Sequence, residues 1–80
     1  TVNAICPGFT DTDIIRDSVA KIVETTGRTE EQALKQFVSS NPQGRLITPE
    51  EIAETTAWLC QEGSDSITGQ AISVSGGEVM

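Results

Sequence analysis

Thr1-Val2-Asn3-Ala4-Ile5-Cys6-Pro7-Gly8 changes character abruptly at Pro7, and that change decides how the rest of the chain reads. The first six residues are mostly apolar, the pattern of a strand buried on both faces, and a Pro-Gly pair bounds them. Proline lacks a backbone donor and holds the preceding residue extended, so a strand is expected over residues 1–6, stopping at Pro7. A second short strand is expected over residues 70–74, where Ala71, Ile72 and Val74 precede Gly76-Gly77.

Between these strands the spacing predicts three helices. In residues 11–26, Ile14, Ile15, Val19, Ile22 and Val23 recur at helical intervals, and Gly27 is placed to close the helix from the C′ position. The second starts at Thr29, whose hydroxyl can cap while Gln32 reaches back, and carries Ala33, Leu34, Phe37 and Val38 on one side. Asn41-Pro42-Gln43-Gly44 then breaks the chain. The third has Thr48 as N-cap, Pro49 at the first position and Glu51 at the third. Ile52, Thr55, Thr56 and Leu59 follow at helical spacing, and Gly63 is expected to end it. The order strand, three helices, strand fits a crossover between parallel neighbours in an α/β sheet. Two strands alone make a poor sheet, and their apolar runs call for cover on both faces and for further strands beside them.

Eighty residues are enough for one small domain, and a chain of this size buries only about 60% of the surface that it exposes when unfolded. The net charge is −7 with no cluster of Lys or Arg, which argues against a nucleic-acid partner. No apolar run approaches the roughly 20 residues of a membrane span. The chain contains no histidine, and Cys6 and Cys60 lie far apart, which excludes the usual Cys/His zinc patterns, so no metal ligands are assigned. Free, buried thiols in a reducing cytosol are the expectation, and with it a cytoplasmic protein. The opening residues read as the middle of a domain rather than as a terminus.

Asn3-Ala4-Ile5-Cys6-Pro7-Gly8, then Thr12, then Gly44-Arg45-Leu46-Ile47-Thr48-Pro49-Glu50-Glu51-Ile52-Ala53, then Ile67-Thr68-Gly69-Gln70 with Gly76-Gly77, resemble the last third of the short-chain dehydrogenases/reductases. The resemblance covers essentially the whole chain. It implies a Rossmann-like doubly wound parallel sheet, of which residues 1–80 would be the C-terminal part of a single domain. Ligands of such sheets lie beyond the carboxyl ends of the strands, and Pro7-Gly8 occupies such an end. By resemblance, Pro7 and Gly8 would flank the nicotinamide of NAD or NADP, the Thr10 backbone would meet its carboxamide, and Thr12 would offer its hydroxyl to the carboxamide or pyrophosphate. Residues 13–41 would form a mobile substrate loop with its helices. Ile14, Ile15, Phe37 and Val38 are candidates to contact an apolar substrate there, although a core role is favoured for most of them.

The resemblance further implies hydride transfer between NAD(P) and a secondary alcohol or ketone, with a hydroxybutyrate or 3-hydroxyacyl thioester among the candidate substrates. In the family, proton transfer falls to a Tyr-x-x-x-Lys pair and a serine, all upstream of this region. The chain has no tyrosine, so these residues alone are expected to be inactive. The alternative reading is a non-catalytic interaction module that keeps the assembly surface. Ser75 stands where many family members carry aspartate, which puts one local hydrogen bond in question.

Arg45 is read as a structural ion pair with a nearby carboxylate. Asp11 with Asp13, and Glu50 with Glu51, are read as first-turn acids favoured by the helix dipole. Trp58 falls beside the packing stripe of the third helix. In the resembled family that helix and the final strand form a two-fold interface of a tetramer, so a homotetramer is expected, with burial of Trp58 inside its own subunit as the competing reading.

Overall fold

A computed structural model describes residues 1–79. The order is β1 (Ala4–Pro7), α1 (Asp13–Thr26), α2 (Glu30–Val38), α3 (Pro49–Leu59), a 3-10 turn (Glu62–Ser64) and β2 (Ala71–Val74). The two strands pair in parallel, in the register Ala4↔Ala71, Ile5↔Ile72, Cys6↔Ser73 and Pro7↔Val74. The α/β architecture expected from the sequence is therefore present.

Pro7 lies inside β1 rather than beyond it, because of which edge each residue faces. The amides of Ala4 and Gly8 donate to the carbonyls of Gln70 and Val74 at 2.8 and 3.0 Å. The alternation along a strand turns Ile5 and Pro7 away from β2, so the missing donor of Pro7 interrupts nothing.

The caps explain where the helices begin and end. Thr29 and Gln32 form a reciprocal capping box at α2, and Thr48 and Glu51 form another at α3, with Pro49 in the first turn. Gly27 ends α1 in the left-handed conformation at φ 71° and donates to the Val23 carbonyl. Helix α1 starts at Asp13, two residues later than expected, and Asp11 lies outside it. Helix α3 stops at Leu59, well before Gly63, which falls instead within the 3-10 turn. The buried Ser64 hydroxyl donates at 2.7 Å to the Trp58 carbonyl, which also accepts from the Gln61 amide at 3.2 Å.

Ile15, Val19 and Ala33 form the core between α1 and α2, with Ile22, Val23, Leu34, Phe37 and Leu46 packed around it. Full burial of a side chain such as Val19 contributes about 1.5–3 kcal/mol. Helix α3 packs on β1, with Ile52, Thr55 and Leu59 half-buried and Thr56 exposed. The two packing units leave an elongated outline of 50 × 22 × 16 Å. Its radius of gyration is 15.4 Å, against about 12 Å for a compact chain of this length.

The cover and neighbouring strands that these apolar runs call for are not supplied by the described residues. Ala4, Cys6 and Ala71 are exposed, and Cys6 and Cys60 are free, exposed thiols rather than buried ones. A two-stranded sheet with one helix against it has too little neighbouring surface to cover both faces.

Candidate functional site

The segment after β1 is held from two sides. Gly8 donates to Val74, the Phe9 carbonyl accepts from Ile47 at 3.0 Å, and the Asp11 amide donates to the Ile47 carbonyl at 2.8 Å. Thr10 and Ile47 thus form a short parallel bridge, anchored by an Ile47 side chain that is almost wholly buried. The Thr10 hydroxyl donates back to the Gly8 carbonyl at 3.0 Å. This pairing turns the Thr10 backbone away from Ile47, leaving its amide without an acceptor among the described residues.

Gly8 lies close against Ser75. A Cβ built on it would lie 3.1 Å from Cα and 3.2 Å from Cβ of Ser75. A side chain here would require Ser75 to give way by a few tenths of an ångström, so glycine lets the two segments sit this close without adjustment. Ser75 is buried, accepts from the Ser73 hydroxyl and the Val79 amide, and donates weakly to the Val79 carbonyl. The position at which the sequence departs from the family pattern is therefore hydrogen-bonded locally. An open cavity of about 400 Å³ lies along this junction, lined by Cys6, Pro7, Gly8, Ser75, Glu78 and Val79 among others.

Thr12 lies outside that cavity lining, at the N-cap of α1, with φ −131° and ψ 171°. Its hydroxyl makes no capping bond, and the amides of Asp13, Ile14 and Ile15 have no acceptor among the described residues. Unpartnered amides at a helix N-terminus suit an anionic group. Beside them, Asp11 accepts two bonds from the Arg16 guanidinium at 2.8 and 2.9 Å, and these hold its carboxyl below the usual range against a small opposing desolvation. Asp11 is thus paired with Arg16 and is not a first-turn acid.

The four substrate-loop candidates separate. Ile15 belongs to the core and Phe37 packs against it, Val38 is half-buried, and Ile14 is 77% exposed. None of the four lines the cavity beside Gly8. Arg45 forms the expected ion pair, a two-pronged contact with Glu51 at 2.6 and 3.1 Å. That pairing, helped by the Thr48 amide, brings Glu51 down to about 2.

Sequence reasoning missed Asn41. Its buried side chain donates to the Arg45 carbonyl at 2.8 Å and accepts from the Gln43 amide at 2.7 Å. The second bond is an Asx turn, which the Asn-Pro pair signals.

Residues 1–78 match the family model described as enoyl-(acyl carrier protein) reductase. A crystal structure of a short-chain dehydrogenase family protein from Francisella tularensis superposes with a TM-score of 0.89 at 36% identity, covering 96% of this chain and 32% of that one. The chain belongs to the short-chain dehydrogenase/reductase family. The ketoacyl reductase assigned to the monensin polyketide synthase of Streptomyces virginiae is 41% identical over 80 residues, covering 96% of this chain. L-sorbose reductase from Gluconobacter frateurii, solved with NADPH and L-sorbose, superposes with a TM-score of 0.88 at 28% identity, covering 98% of this chain and 30% of that one. The chain spans 30% of the length of the curated family member from Streptomyces virginiae. Among the described residues no helix is long and apolar enough to cross a membrane.

Proposed function

We propose that residues 1–80 are the C-terminal part of one short-chain dehydrogenase/reductase domain, and that the whole protein is an NAD- or NADP-dependent oxidoreductase. Its reaction class is the interconversion of a ketone and a secondary alcohol. The observation that carries this reading is the family match over residues 1–78, which includes the glycine turn at the carboxyl end of a parallel strand. A 3-oxoacyl or 3-hydroxyacyl compound is the proposed substrate class, supported by the similarity to a ketoacyl reductase.

Pro7 and Gly8 would flank the nicotinamide, and the unpartnered Thr10 amide suits its carboxamide oxygen. The free Thr12 hydroxyl and the open amides of α1 suit the carboxamide or the pyrophosphate. When bound, the nicotinamide supplies or takes up the hydride. The 80 residues contain no tyrosine, so the proton-transferring pair known from the family would lie elsewhere in the protein. Taken alone, they are inactive in this reading.

Ile14, the exposed member of the apolar set, is the residue of the α1–α2 arm best placed to meet a substrate. A homotetramer is proposed on the half-exposed Trp58 of α3. Cytoplasmic residence is proposed on two free, exposed thiols, which persist best in a reducing compartment.

The test uses the full-length protein with NADPH or NADH and a panel of ketones that includes a 3-oxoacyl thioester. Loss of the reduced-nicotinamide absorbance is expected with one of the two nucleotides. Failure to oxidise either with any member of the panel would refute the oxidoreductase reading. The isolated 80 residues are expected to bind neither nucleotide, and micromolar binding in a fluorescence titration would refute that part.

A further inference from the structure

The Phe9 and Phe37 rings meet edge to face, with centroids 5.1 Å apart and planes at 75°. Phe9 directly follows Gly8, whose amide donates to β2, and the Phe9 carbonyl accepts from Ile47. The Phe9 side chain is therefore the route by which this pinned segment reaches α2. Phe37 in turn packs on the Ile15, Val19 and Ala33 cluster that joins α1 to α2. Phe9 remains 46% exposed, so its ring is not part of that core.

We propose that the Phe9–Phe37 pair is a latch through which the α1–α2 arm positions the Pro7–Gly8 turn. This rests on the nicotinamide reading of that turn given above. Packed side chains transmit displacement because their contacts leave no slack, and the rings are the aromatic contact between the two parts. An arm held in place presses Phe37 against Phe9 and holds the turn in one position. An arm swung away removes that restraint. Phe9 itself lines the cavity beside Gly8, whereas Phe37 does not and is a positioning residue that acts through Phe9.

The test is a double-mutant cycle in the full-length protein with Phe9→Leu and Phe37→Leu, changes that keep bulk and remove the aromatic pairing. The readout is the dissociation constant for NADPH or NADH, whichever the parent binds, from nicotinamide fluorescence. Each single variant is expected to weaken binding by about two- to tenfold, the coupling typical of an aromatic pair. The double variant should be no weaker than the worse single one, and Phe37→Tyr should restore the parent value. A purely structural role predicts instead that each single variant lowers the urea-unfolding midpoint without changing the dissociation constant. Unchanged constants in the single variants, or losses that multiply in the double, would overturn the latch while leaving the functional reading intact. A parent protein that binds neither nucleotide would overturn both.

Discussion

The Asn41 carboxamide lies against the bare Cα of Gly76, so closely that a Cβ there would sit 2.5 Å from both its oxygen and its nitrogen. Asn41 is itself held by Arg45 and Gln43, so it cannot swing aside without giving up two hydrogen bonds. The next residues repeat the contact, since a Cβ on Gly77 would meet Pro42 at 3.2 Å. The end of the α1–α2 arm is in this way fitted to the turn that follows β2. Ser75, on the same turn, abuts Gly8.

Gly76 and Gly44 share a left-handed backbone, with φ of 66° and 68°, but a Cβ on Gly44 would meet nothing within 4 Å. Gly44→Ala should therefore cost only the backbone strain, about 1–2 kcal/mol. Gly76→Ala should add an overpacking cost of about 1–3 kcal/mol. Urea unfolding of the full-length protein compares the two directly. Equal losses would mean that Asn41 yields at little cost.

Three threonines precede helices, and the structure separates their roles. Thr48 and Thr29 accept from the amides of Glu51 and Gln32, whereas the Thr12 hydroxyl caps nothing. Thr48→Ala should lower stability by about 1 kcal/mol. Thr12→Ala should leave the unfolding midpoint unchanged, weaken cofactor binding and slow turnover. Steady-state kinetics identical to the parent would remove Thr12 from the cofactor site.

Glu51 should make stability depend on pH at the acidic end. The Arg45 guanidinium, with the Thr48 amide, lowers its carboxyl from 4.5 to about 2 in the folded protein. A group depressed on folding contributes its stability above the unfolded value and loses it as pH falls toward the folded one. The contribution is thus present above about pH 4.5 and fades toward about pH 2. Glu51→Gln, which can keep the capping box, should flatten that part of the profile in thermal unfolding. Because both side chains are partly exposed, added salt should shrink the difference. Profiles of parent and variant that run parallel from pH 5 to 2 would contradict the assignment.

Trp58 is 48% exposed on α3, so the chain itself does not bury it. Trp58→Glu in the full-length protein should lower the oligomeric state seen by light scattering, without loss of helical signal. An unchanged tetramer would take Trp58 out of the interface. General unfolding with no smaller species would favour burial by other parts of its own subunit.

What was legible in the sequence lies within a few residues along the chain. The capping boxes at Thr29–Gln32 and Thr48–Glu51, the left-handed Gly27 and the Arg45–Glu51 pair are all formed by near neighbours. Turn geometry alone brings such groups together, so residue type and spacing suffice to name them. The parallel pairing of the two strands was also readable, because a crossover of three helices leaves few other arrangements. Other features depended on which surfaces the folded chain presses together. Pro7 could join the strand because the register turns it away from β2, and Gly8 is tightly fitted because Ser75 arrives there from the far end of the chain. The Asn41–Gly76 fit and the Phe9–Phe37 contact have the same origin, as does the exposure of the two thiols. Such approaches are set by register and packing between distant segments, which a local pattern of residues does not encode.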